Sequence, residues 1–86
     1  MNTLRSQLRA DCEHAAALAA RLRNDAHELL LSMDAGECEH ALSDIEGRVA
    51  DARCALANTT TTTKQLARAR AALHSAIEVV TWELAK

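Results

Sequence analysis

The chain has 86 residues, enough for one domain with a small hydrophobic core, and its 19 Ala, two Gly and absence of Pro, Phe and Tyr favour helix almost throughout. A formal net charge of −2 argues against binding nucleic acid through overall charge. Its three cysteines cannot all pair within one chain, and no segment has the roughly 18 consecutive apolar residues of a membrane span, so we expect a cytoplasmic protein.

The first third of the chain repeats apolar residues at steps of three and four, which predicts one long amphipathic helix over residues 3–33. Its predicted buried stripe is Leu4, Leu8, Cys12, Ala15, Ala19, Leu22, Ala26, Leu29 and Met33. Asp34 stands three residues before Glu37, a variant of the capping box, and this spacing predicts that a second helix begins at residue 35.

Two further helices, over residues 35–57 and 62–85, are predicted from the same periodicity. Their predicted buried residues are Cys38, Leu42, Ile45, Val49, Ala52 and Leu56 in the second helix, and Leu66, Ala69, Leu73, Ile77, Val80 and Leu84 in the third. The segment NTTTTTK between them disfavours helix, and we interpret it as a linker, with a modification site as the alternative. Short connections favour antiparallel neighbours, so the predicted fold is all-α: an antiparallel, up-down-up three-helix bundle forming a single domain, 1–86.

The long first helix is predicted to extend past the ends of the other two. About 30 residues span roughly 45 Å, whereas the second and third helices span about 35 Å each. We align the antiparallel helices by counting residues along the bundle axis from the two turns, a procedure we call level matching. This alignment places Cys12 beside Asn58 and leaves Leu4 and Leu8 beyond the ends of the other two helices, where nothing covers them. Burying these leucines would need a second chain, a bend, or a threonine segment that folds back.

The tetrapeptide CEHA occurs at residues 12–15 and again at 38–41, and suggests metal ligands. Cys and His two residues apart on a helix point about 200° away from each other, so neither pair can hold one ion. The four histidines are dispersed, and no nucleophile or Gly-rich phosphate loop accompanies them. We therefore predict no metal site, no cofactor and no catalytic residue, and hence a protein that is not an enzyme.

Trp82 is the only aromatic residue, and helical angles place it about 180° from the centre of the buried stripe of the third helix. Leu31 lies roughly 160° from the stripe of the first helix, and level matching brings residue 82 beside residue 32. Together with Val79, these side chains predict an exposed apolar contact site at one end of the bundle. The alternative is that Trp82 folds over the bundle end.

The outward side of the second helix is predicted to be lined by small residues, which let another helix approach closely. Combined with the uncovered leucines, this face predicts a helical-bundle homodimer, the alternative being that Ala is simply common in this chain. The predicted dimer residues are Leu4, Leu8, Gly47, Ala50, Cys54 and Ala57.

Charge is segregated between the two halves of an up-down-up bundle. Residues 25–46 and 75–86 contain nine acidic residues and one lysine, a net charge of −8, while residues 1–24 and 47–74 contain nine basic and three acidic residues, a net charge of +6. In the first and third helices this order opposes the macrodipole, so local helix stability does not explain it. It indicates either a solvated surface or electrostatic attraction of a partner.

The predicted function is a non-catalytic protein–protein interaction module, a small helical adaptor or inhibitor whose acidic end binds a larger, basic protein. The predicted partner-binding residues are Leu31, Val79, Trp82, Glu28, Glu37, Glu78 and Glu83. One alternative is a phage or mobile-element inhibitor that occupies a nucleic-acid-binding surface of a host protein. Another is a nucleic-acid-binding regulator that uses the arginine-rich end. A membrane is not expected as a partner.

Overall fold

A computed structural model shows three α-helices and describes residues 3–29 and 35–85. Helix α1 spans Thr3–Leu29, α2 spans Ala35–Ala57 and α3 spans Thr63–Ala85. Each helix packs against both others in a bundle of 47 × 18 × 16 Å. The described residues contain no strand, and the predicted all-α three-helix bundle is confirmed. Over those same residues, no helix is apolar for long enough to cross a membrane.

The buried side chains form one cluster along the centre of the bundle. It comprises Leu8, Cys12, Ala15, Ala19, Leu22, Cys38, Ile45, Val49, Ala52, Leu66, Leu73, Ala76 and Val80. Every predicted stripe residue whose side chain is described either belongs to this cluster or packs against it. The periodicity succeeds here because helices with one apolar stripe can bury it only by facing one another.

Helix α2 ends at Ala57 because the residues that follow offer hydrogen bonds that compete with helical ones. The Asn58 Oδ1 accepts hydrogen bonds from the backbone N–H and the hydroxyl of Thr60, at 3.0 and 2.7 Å. The Thr61 hydroxyl donates to the carbonyl of Ala55 at 2.7 Å. The threonine segment is therefore a turn with defined hydrogen bonds.

Helix α3 begins with a capping box formed by Thr62 and Gln65. The Thr62 hydroxyl accepts a hydrogen bond from the Gln65 N–H at 3.2 Å, and the Gln65 side-chain oxygen accepts one from the Thr62 N–H at 2.9 Å. Each side chain thus satisfies a backbone donor that has no helical partner at the start of a helix.

The prediction that Leu4 and Leu8 extend past the other helices is wrong. Leu8 is completely buried, and Leu4 packs against the same core. Between them, Arg5 donates hydrogen bonds to the carbonyls of Leu56 and Asn58, both at 3.1 Å. The turn between α2 and α3 therefore folds against the start of α1. This is one of the three arrangements named above for burying these leucines, a threonine segment that folds back. Level matching missed it because it gave this turn no length along the bundle axis.

Candidate functional site

Helix α3 leaves two large apolar side chains in solvent, Val79 at 49% exposure and Trp82 at 66%. They are three residues apart and therefore share one face of the helix. The inward positions of α3 are taken by Leu73, Ala76 and Val80, which are buried. The prediction that the Trp82 ring points away from the core is confirmed.

The two acidic side chains predicted to flank Trp82 on α3 differ in their exposure to solvent. Glu78 is exposed, one turn before Trp82. Glu83 is buried at 9% exposure, so its predicted position on the outer surface is wrong. It follows Ala76 by seven residues and Val80 by three, and this spacing places it on the inward face of the helix.

Three other predicted partner-binding residues cannot be placed against this surface. Leu31 lies outside the described residues, and so do the side chains of Glu28 and Glu37. The structure therefore brings together Val79, Trp82 and Glu78 on the outer face of α3. We refer to these three residues as the tryptophan surface.

The small residues predicted to line the outward side of α2 are all exposed: Gly47, Ala50, Cys54 and Ala57. A Cβ atom built on Gly47 would meet no atom within 4 Å beyond its own stretch of helix, so none of the described residues packs over this position. Leu8 is removed from the predicted dimer interface because it is buried inside the bundle. Dimerisation itself stays a prediction.

A charged cluster that the sequence did not indicate joins α1 to α3. The Asp11 Oδ2 accepts a hydrogen bond from Arg70 Nε at 2.8 Å and lies 2.7 Å from His74 Nε2. Arg70 also donates to the side-chain oxygen of Gln7 at 2.8 Å. Helical spacing does not reveal these contacts, because Arg70 and His74 are 59 and 63 residues from Asp11.

The electrostatics of this cluster favour the ionised form of Asp11. Partial burial raises the pKa of the carboxyl, but the hydrogen bonds and positive charges of Arg70 and His74 outweigh that effect and hold the pKa below its ordinary value of 3.8. One carboxylate of α1 held by two side chains of α3, Arg70 and His74, forms a link between helices. We assign this cluster a structural role.

The thiols and the repeated CEHA segments show no arrangement typical of a reactive centre. Cys12 and Cys38 are buried, and Cys54 is exposed. Burial raises the pKa of the Cys12 thiol above its ordinary value of 9.0, which keeps it protonated at neutral pH. Within the part of the chain that the structure describes, no group of three or more His, Cys, Asp or Glu side chains could hold a metal ion.

Comparison with known proteins assigns no relative to this chain: no protein family, no curated protein and no solved structure matches it.

Proposed function

We propose that this chain is a non-catalytic protein-binding module that uses the tryptophan surface to bind a larger protein. The observation that carries this proposal is the 66% exposure of Trp82, the only aromatic side chain in the sequence. A small domain is stabilised most by burying its largest apolar side chains, so folding alone gives no reason to leave this ring in water. Tryptophan is also enriched among the residues that contribute most to protein–protein binding.

The charge of this half of the bundle supports a basic partner. Residues 25–46 and 75–86 have a net charge of −8 in the sequence, and Glu78 is exposed beside the ring. Opposite charge on a partner would accelerate association and orient the encounter. The Trp82 ring, once covered by the partner, would supply most of the affinity. An inhibitor that occupies the nucleic-acid-binding surface of another protein, including a phage or mobile-element inhibitor, is a special case, because such surfaces are basic.

Direct nucleic-acid binding through the arginine-rich half has less support. Arg5 donates hydrogen bonds to backbone carbonyls, Arg48 donates to the carbonyl of Ala72 on α3, and Arg70 donates to Asp11 and Gln7 on α1. These guanidinium groups are already engaged within the chain. Binding phosphates with them would therefore compete with contacts that hold the helices together.

Site-specific photo-cross-linking tests the proposal. A photoreactive amino acid at position 82 should give covalent adducts with one protein in the source lysate, and these adducts should survive nuclease treatment. The same amino acid in place of Ala67, which is exposed earlier on α3, is the matched control and should give far fewer adducts with that protein. Nuclease-sensitive adducts at position 67, without protein adducts at position 82, would favour the nucleic-acid alternative and contradict the proposal.

A further inference from the structure

The outer face of α2 has a pattern that the tryptophan surface does not use. Six exposed residues follow one another at alternating steps of four and three: Glu39, Ser43, Glu46, Ala50, Arg53 and Ala57. This is the spacing of a seam along which one helix packs against another. None of the six belongs to the core of the bundle, so the seam is available to a second helix.

A groove between α1 and α2 runs beside this seam. One part of about 320 Å³ is lined by alanines, among them Ala16, Ala20 and Ala50, together with polar side chains that include Arg53. A second part of about 350 Å³ continues past Arg53 to Arg9. Small side chains along the floor allow the backbone of another helix to approach closely.

The charges along the seam change sign from one end to the other. Glu39 and Glu46 lie on the half nearest the start of α2, and Arg53 lies towards its end. On α1, Arg23 borders the groove beside Glu46, and both Arg9 and Glu13 border it beside Arg53, so the change of sign belongs to the seam residues of α2. A second copy in antiparallel orientation would place its acidic residues over these arginines, and a parallel copy would place like charges together. Glu46 accepts hydrogen bonds from Arg23 at 2.8 Å within the chain, but both side chains are exposed and can exchange partners.

We propose that a second copy of the chain binds along this face in antiparallel orientation. With the two-fold axis midway between Glu39 and Ala57, Arg53 of one copy is level with Ser43 of the other. It then lies about one turn from both Glu39 and Glu46 of that copy.

The dimensions of the bundle favour this lengthwise pairing over end-to-end stacking, which would also bring acidic and basic ends together. A lengthwise face of 47 by 18 Å has an area of about 850 Å², whereas an end face of 18 by 16 Å has about 290 Å². A stable interface buries about 800 Å² on each partner, so only the lengthwise face is large enough. The proposal concerns α1 and α2, and it does not depend on the function proposed for Trp82.

Charge reversal tests the pairing by sedimentation at low salt. The wild type should sediment as a dimer, twice the 9.3 kDa of one chain, and should dissociate as salt rises. The double variants Arg9→Glu/Arg53→Glu and Glu39→Lys/Glu46→Lys should each be monomeric alone and should form a heterodimer when mixed. Arg68→Glu on α3, exposed and outside this face, is the control and should remain dimeric. A monomeric wild type at tens of micromolar, or a dimer unaffected by both double variants, would overturn the proposal.

Cross-linking tests the orientation on a Cys54→Ser background. A cysteine at position 50 lies near the two-fold axis, so a short thiol-reactive cross-linker should join two copies. In the antiparallel pair the two residues 57 are about 27 Å apart along the axis, 18 residues of rise, and a cysteine there should not cross-link. Efficient cross-linking at position 57 would show a parallel pair and contradict the proposed orientation.

Discussion

The replacement Leu8→Ala measures whether the start of α1 is part of the core. The structure places Leu8 in the core, whereas level matching predicted that it would be uncovered. The Leu8 side chain is completely buried. Removing three carbon atoms costs about 2.4 kcal/mol of transfer free energy at roughly 0.8 kcal/mol each, and the cavity left behind raises the total to about 3 kcal/mol. A domain of this size is stable by only about 4 to 13 kcal/mol, so the loss is a large fraction of the whole.

Urea unfolding followed by circular dichroism, with all variants at one protein concentration, measures this cost. In thermal unfolding of the same variants, the melting temperature should fall by about 12 to 24 °C, since each kcal/mol corresponds to about 4 to 8 °C in a domain of this size. Ser6→Ala, an exposed change one turn or less away, should change the free energy of unfolding by under about 0.5 kcal/mol. A cost below about 1 kcal/mol for Leu8→Ala would refute the burial of Leu8 in the core.

Two further outcomes follow from particular side chains. The pKa of Asp11 is lowered by folding, so its contribution to stability is fully present above the unfolded value near 3.8 and is lost as the pH falls through the lower folded value. Asp11→Asn should therefore lower the free energy of unfolding by about 1 kcal/mol at pH 7, given the solvent exposure of its partners. The difference from the wild type should shrink as the pH falls below 3.8, and a pH-independent difference would contradict this. Gly47→Ala should raise the free energy of unfolding by about 0.5 to 1 kcal/mol, because Gly47 is exposed within α2 and an added Cβ meets no atom within 4 Å. If Gly47→Ala unfolded at a lower urea concentration than the wild type, the structure would require that position 47 carry no side chain, and the reasoning would be contradicted.

The helices and their buried faces could be predicted from the sequence because each is a local property. One apolar stripe per helix determines the inward face, and the outward direction of Trp82 follows from the same angles. Glu83 could have been placed inward by the same reasoning, since it follows Val80 by three residues. It was misassigned because a glutamate is ordinarily expected in solvent.

The relations between helices could not be predicted from the sequence. Local periodicity contains no information on how far the α2–α3 turn extends along the axis, and that extent decides which residues of α1 lie beside the ends of α2 and α3. The bonds from Arg5 to the carbonyls at the end of α2 also depend on this register. The link between Asp11 and His74 joins residues 63 positions apart and has no signature in either helix alone.

The exposed Trp82 is central to the proposed function, and Trp82→Ala tests it most directly when folding and binding are measured together. The binding measurement uses the protein that cross-links to position 82. The account predicts a change below about 1 kcal/mol in the free energy of unfolding and a loss of about 30-fold in affinity, corresponding to about 2 kcal/mol for an anchor residue. A loss of about 3 to 5 kcal/mol in stability with unchanged affinity of the folded protein would mark Trp82 as a core residue and contradict the account.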